Sequence, residues 1–271
     1  MTGSPPPTHV LAAFAAGAAP VPLPGGQGTT WRAGEVVLKP TGMPEEAAWR
    51  AEVVAALPES PEFRVARPVR AADGRWTADG WEAWRLVAGR PDPHRTADVV
   101  RTGAAFHAAV AELALGRPEF LDERDDAWTR ADRMSWDLSQ DGRPADGEGG
   151  FGMLAPLLAA REPISPRDEQ PVHGDLLGNV LFADGLPPAV IDWPVYWRPP
   201  AWASAVAVVD SLLWYEGDEK DPGLLAPWTD DPYRHQLLLR ALVYRIATTQ
   251  ELGRAPEPTY ARTAKLVLGG A

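Results

Sequence analysis

The chain of 271 residues contains no cysteine. That excludes a disulfide, a thiolate zinc site, an iron–sulfur cluster and a cysteine nucleophile, and it suits a reducing compartment. Lysine is nearly as scarce, with three residues against 23 arginines, the drift of a GC-rich genome. Basic charge is outvoted: 26 Lys and Arg stand against 37 Asp and Glu, a net charge of -11. No nucleic-acid partner is expected, because that binding draws mainly on Lys and Arg at phosphates. A long apolar run is missing as well. Residues 1–7 are polar and proline-rich, and the apolar stretch over 10–19 is short, alanine-rich and broken by Gly17. Neither a signal peptide nor a membrane partner is expected, and the chain reads as cytoplasmic, a monomer or homodimer. There are no repeats.

What is present is ordinary for a globular chain, 45% hydrophobic and 23% charged, and long enough for one large domain or two lobes with real cores. The acidity keeps such a chain soluble and would also steer a cationic small substrate.

The first third is strand-like. Val21-Pro22-Leu23 leads through Gly25-Gly26-Gln27-Gly28 to Thr29-Thr30-Trp31-Arg32, and an Ala33-Gly34 turn leads to Glu35-Val36-Val37-Leu38-Lys39. Short segments joined by glycine-rich turns predict an antiparallel sheet, preceded by a short helix over 9–16. A helix over 44–57 starts on Pro44, with Trp49, Val53 and Leu57 at helical spacing. Strands are predicted over 63–69, 74–77 and 81–87. From Thr96, suited to an N-cap, the pattern turns helical: 96–115, 123–138, 151–161, 202–215, 232–252 and 259–268. A strand-rich island over 170–191 interrupts this half. Sheet first and helices later suggests two lobes, with Ala88-Gly89-Arg90-Pro91 as the hinge.

The island holds the chemistry. Val172-His173-Gly174-Asp175-Leu176-Leu177-Gly178-Asn179 and Ile191-Asp192-Trp193 place a carboxylate, a carboxamide and a second carboxylate on tight turns between apolar runs. Each type is common in plain turns. In this order they match what phosphoryl transfer from a magnesium nucleotide needs: one group to receive the acceptor's proton and two oxygen donors for metal.

This order of parts resembles the aminoglycoside phosphotransferase-like family, a branch of the protein-kinase-like fold that phosphorylates small molecules, and within it an actinobacterial subgroup. The resemblance implies an α+β bilobal fold: a small antiparallel-sheet N-lobe with one main helix (1–88) and a larger, mostly helical C-lobe (89–271). It implies a kinase moving the terminal phosphate of ATP or GTP, with Mg2+, to a hydroxyl of a sugar, aminoglycoside or related metabolite.

Asp175 matches the acceptor-activating base, and Asn179 and Asp192 match the metal ligands. Lys39, the only lysine in the first 219 residues, matches the strand lysine that holds nucleotide phosphates. Its helix-glutamate partner is Glu52 by spacing to the next strand, with Glu46 also open. Gly26, Gln27 and Gly28 stand where a hairpin covers phosphates, and Val87 and Ala88 where the hinge meets the base. Asp210 matches a buried brace of the catalytic loop, and His107 a core histidine. Trp193, Trp197 and Trp202 suit a core or an acceptor pocket.

Two features depart from protein kinases: the glycine loop lacks the spaced pattern, and only 194–200 separates the metal turn from the next helix. One departs from the catalytic loop itself. Three residues, Leu176, Leu177 and Gly178, separate Asp175 from Asn179 where the kinase loop has four, a difference of up to ~3.5 Å of chain. The alternative reading is therefore a catalytically impaired nucleotide-binding regulator or scaffold.

Overall fold

The computed structural model describes residues 3–24, 28–139, 151–165, 167–217, 221 and 223–269. In chain order its strands are β1 Val21–Pro22, β2 Trp31–Ala33, β3 Val36–Pro40, β4 Arg64–Val65, β5 Thr77–Ala78, β6 Trp81–Arg85, β7 Arg90–Pro91, β8 Gln170–His173, β9 Val180–Ala183, β10 Leu186–Val190 and β11 Val195–Arg198. The chain forms two compact units, Met1–Arg90 with Leu181–Asp192, and Pro91–Val180 with Trp193–Ala271. The sequence suggests a single cut after Ala88. In the structure the chain returns to the first unit because β10 pairs in parallel with β4, Ala189 opposite Arg64 and Val190 opposite Val65.

The first unit is built on a sheet of order β1-β2-β3-β6-β5. Its pairs are antiparallel. Alternation along β3 decides its faces. Val36 and Leu38 point into a core with Ala33 and Ala83, closed by Val10 of helix α1 (Thr8–Ala13) and by Phe14 just after it. Burying side chains such as Leu38 and Phe14 is worth ~1.5–3 kcal/mol each. Val37 and Lys39 lie on the other face, where Lys39 is directly across from Glu82 and Val37 from Trp84. Helix α2 (Pro44–Ala56) begins on Pro44 with Glu45 and Glu46 in its first turn, charges that suit a helix N-terminus. A second sheet has the order β4-β10-β9-β7.

The second unit carries α3 (Thr96–Ala111), α4 (Phe120–Glu123), α5 (Ala127–Trp136), α6 (Leu154–Ala159), α7 (Pro200–Trp214), α8 (Ala226–Thr229), α9 (Pro232–Glu251) and α10 (Thr259–Val267). Buried α9 packs on α5, α7 and α6, and β8 pairs antiparallel with β11, His173 opposite Val195. The stretch expected as one helix over 123–138 is divided. Arg124 turns extended, and the Asp126 side chain accepts from the Thr129 N–H to start α5 afresh. Thr96 is not a cap: it lies inside α3, and its hydroxyl donates to Ser211 Oγ at 2.9 Å. Among the described residues no helix is long and apolar enough to cross a membrane.

Candidate active site

In the second unit, β8 delivers His173-Gly174-Asp175 to a turn anchored by the buried side chains of Leu176, Leu177 and Val180. Gly174 has no room for a side chain: an added Cβ would sit 2.4 Å from Tyr196 Cδ2 and Cε2. That ring is fixed, since the Tyr196 and Tyr244 hydroxyls share a hydrogen bond of 2.9 Å. The turn closes through Asn179 N–H donating to Leu176 O at 2.9 Å. Gly178 sits at φ +94, a left-handed conformation costly for other residues.

The shortened loop still brings its two polar ends together. Asn179 Nδ2 donates to Asp175 O at 2.7 Å and to Asp175 Oδ2 at 3.0 Å. Because the amide nitrogen is committed to Asp175, the Asn179 carbonyl oxygen is the end left to face a cation.

Histidines hold this turn from behind. His107 Nε2, on α3, accepts from the His173 N–H at 2.9 Å, and His173 Nδ1 accepts from the Asp175 N–H at 3.1 Å. Burial first, and the neighbouring His173 second, push His107 down to about 3. It is therefore neutral, and since Nε2 accepts, its proton is on Nδ1. The core role expected for His107 fits this place. The Trp193 indole donates to Val172 O at 2.9 Å and its ring meets Phe106 edge-on. Trp193 and Trp202 are buried, at 3% and 0% exposed, so both belong to the core rather than to an acceptor wall.

In the first unit Lys39 pairs with the Asp192 carboxylate. Asp192 follows β10 at φ +48, left-handed for a residue that is not glycine. Glu52 is not the partner of Lys39. It lies on the exposed side of α2, where it accepts from the Trp76 indole at 2.6 Å and from Arg70 at 3.4 Å. Six residues at 100° each separate it from Glu46, which turns it to another face of the helix. The inward face instead carries Glu46 and Arg50, an i,i+4 pair at 3.7 Å, and Arg50 Nη2 reaches both Glu82 oxygens at 2.7 Å. Burial works against the Arg50 charge. Glu82 outweighs it, with Glu46 and Asp192 adding, and the guanidinium is held above its usual range.

Gly26 and Gln27 lie outside the described residues. Gly28 is at φ +72, and its carbonyl accepts from the Gly3 N–H at 2.9 Å. Val87 and Ala88 follow β6, with Ala88 O accepting from Arg64 Nη2 at 3.0 Å. Among the described residues no group of three or more His, Asp or Glu stands ready to hold a metal. The donors are hard oxygens, few in number, which suits magnesium carried in by phosphates rather than a metal caged by protein.

Three residues escaped the sequence reading. Glu82 needs the strand register to be placed opposite Lys39, and Arg50 needs Glu82. Arg245 had a visible signal, a lone charge inside Leu242-Val243-Tyr244-Arg245-Ile246-Ala247 on α9. Such a residue is buried only with partners. Here they are Asp210, the expected brace on α7, and Asp175.

No family model matches the sequence, and comparison with curated proteins finds no match. Solved structures do match. A thermostable mutant of aminoglycoside phosphotransferase APH(4)-Ia, in a ternary complex with ADP and hygromycin B, aligns over 97% of this chain and 98% of its own, with 11% identity and a TM-score of 0.55. Spectinomycin phosphotransferase APH(9)-Ia, in complex with ADP and spectinomycin, aligns over 92% and 88%, with 10% identity and a TM-score of 0.51. The chain has the fold of these phosphotransferases, an antiparallel-sheet N-terminal region followed by a helical C-terminal region, and at such identities the likeness is one of fold.

Proposed function

We propose that the chain is a small-molecule kinase that transfers the terminal phosphate of ATP or GTP to a hydroxyl of a sugar, aminoglycoside or related metabolite. The observation that carries this reading is the Asp175–Asn179 contact, which survives the loss of one loop residue and leaves the amide carbonyl of Asn179 for a metal. The fold of nucleotide-bound phosphotransferases supports it further.

In this mechanism Lys39 and Asp192 serve the nucleotide phosphates, Lys39 directly and Asp192 through magnesium, with Asn179 as the second protein ligand. Magnesium neutralises charge on the phosphates. Asp175 orients the acceptor hydroxyl. Its oxygen forms a bond to the γ-phosphorus while the bond from that phosphorus to the β,γ-bridging oxygen breaks. The hydroxyl proton passes to the Asp175 carboxylate and the nucleoside diphosphate leaves. Positioning and electrostatics supply most of the rate in such a reaction. Lys39 exchanges its Asp192 partner for phosphate oxygens when nucleotide arrives.

The test is a nucleotide-consumption screen across sugars, aminoglycosides and metabolite pools. Asp175→Asn should keep nucleotide binding and lose turnover by roughly 10²–10⁴-fold, the usual contribution of a positioned base. Equal consumption by this variant would overturn the mechanism. Binding of magnesium nucleotide without consumption in the presence of any acceptor would favour the regulator or scaffold reading.

A further inference from the structure

Arg245 belongs to none of the motifs, yet its guanidinium touches the centre of the loop. Its side chain is 7% exposed. Nε donates to Asp210 Oδ1 at 2.6 Å, and Nη2 donates to Asp210 Oδ2 at 2.5 Å and to Asp175 Oδ1 at 2.6 Å. One planar fork thus ties α7, α9 and the catalytic loop at a single point.

We infer that Arg245 is a positioning residue for the proposed transfer: it fixes the rotation of the Asp175 carboxylate, so that Oδ2 and not Oδ1 receives the acceptor's proton. This rests on the kinase reading above. The two oxygens of Asp175 differ in what holds them. Oδ1 accepts a charge-assisted bond from a guanidinium that cannot release its own proton. A proton arriving on Oδ1 would confront that cation and cost the bond. Among the described residues Oδ2 accepts from the neutral amide of Asn179 alone, at 3.0 Å, and the Asp175 side chain is 45% exposed, open to an incoming hydroxyl.

The supporting shell is rigid. Asp210 is 2% exposed. Burial pushes its carboxyl up to about 6, while Arg245 holds it down. Burial opposes the Arg245 charge in turn, but Asp210 and Asp175 outweigh it and hold the guanidinium well above its usual range. With two carboxylates on one guanidinium, removing the cation leaves the buried Asp210 unpaired beside the half-exposed Asp175, which the fold cannot hold in the same geometry.

The transition state of phosphoryl transfer is loose, so orienting the acceptor contributes more than abstracting its proton. Direction is what the Arg245 contact supplies.

The test compares Arg245→Gln, Arg245→Lys and Asp210→Asn with the wild type, using kcat, KM for magnesium ATP, thermal melting and crystal structures. In Arg245→Gln, kcat should fall about 10–100-fold, the scale of a misplaced reacting group, with KM for ATP within twofold. Arg245→Lys, which keeps the charge but not the fork, should recover part of kcat. Asp210→Asn, which leaves the Arg245 contact to Asp175 in place, should keep more kcat than Arg245→Gln. A folded Arg245→Gln with unchanged kcat, or one losing kcat and ATP affinity together, would overturn the inference.

If Arg245→Gln does not fold, Arg245→Lys, which loses the fork, should still lose more kcat than Asp210→Asn, which keeps the contact to Asp175, and the reverse order would overturn the inference. If the wild type consumes no nucleotide with any acceptor, the kinase reading has failed instead. The structure of Arg245→Gln then decides the positioning claim, because Asp175 should leave its single rotamer and part from Asn179, and an unmoved Asp175 refutes it.

Discussion

The histidine behind the catalytic loop makes the stability of this protein depend on pH in a way that one substitution should remove. His107 is 1% exposed, and its Nδ1 has no partner among the described residues. In the native state it titrates near 3, against the ordinary 6.5 expected of the unfolded chain. Between those values the unfolded state binds a proton that the native state refuses, so stability falls as pH falls. The contribution is complete above pH ~6.5 and is lost at ~1.4 kcal/mol per pH unit down to about pH 3.

From pH 7 to pH 5 the loss from this one group is about 2 kcal/mol, and over the whole window ~5 kcal/mol, comparable to the entire stability of many domains. Asp210 works in the opposite sense. Its native carboxyl near 6 lies above the usual ~3.9, so the folded state binds more protons from about pH 6 to 4, and stability rises as pH falls. The difference between wild type and His107→Gln isolates His107 with its coupling to His173 and cancels groups not coupled to it, Asp210 among them. Glutamine can accept from the His173 N–H and does not titrate. Urea unfolding followed by tryptophan fluorescence at pH 7 and pH 5 measures that difference. Wild type should lose about 2 kcal/mol more than the variant, and equal losses would refute the assignment.

Two further substitutions bear on the loop and the phosphate site. Gly174→Ala should lower stability by about 1–3 kcal/mol, since its Cβ meets the fixed Tyr196 ring. Gly103→Ala, whose Cβ meets Leu176 Cδ1 at 2.5 Å, should lose less, because that atom ends a side chain with rotatable bonds and alanine favours the helix, and thermal melting that reverses this order would overturn this packing argument. Lys39→Ala should weaken ATP binding about 10–100-fold, the scale of a charged hydrogen bond, whereas Glu52→Ala should leave it within twofold. Calorimetry showing equal losses would restore Glu52 to the phosphate site.

Local pattern was enough for much of the fold. The run Val36-Val37-Leu38-Lys39 was legible as a strand, and a proline start located α2. The turn from Asp175 to Asn179 was legible because its polar residues are contiguous in sequence. Partnerships across elements were not. Glu46 and Glu52 both lie on α2, and only the direction of that helix over the sheet separates them. The pairing of Arg50 with Glu82 depends on strand register, which no single segment contains. Arg245 lies 70 residues from Asp175 in sequence, and its role emerges only when α9 packs on α7. The division of the units was hidden for the same reason, since the pairing of β10 with β4 joins distant segments.

Asp192 has a consequence for anyone evolving this protein. Its backbone is left-handed at φ +48, a conformation costing roughly 1 kcal/mol for a residue with a side chain and almost nothing for glycine. Glycine or asparagine would ease the backbone at this position, but either would discard the Lys39 ion pair and the proposed metal ligand together. Stability and chemistry draw on the same residue here, and a directed-evolution scheme must reward both at once.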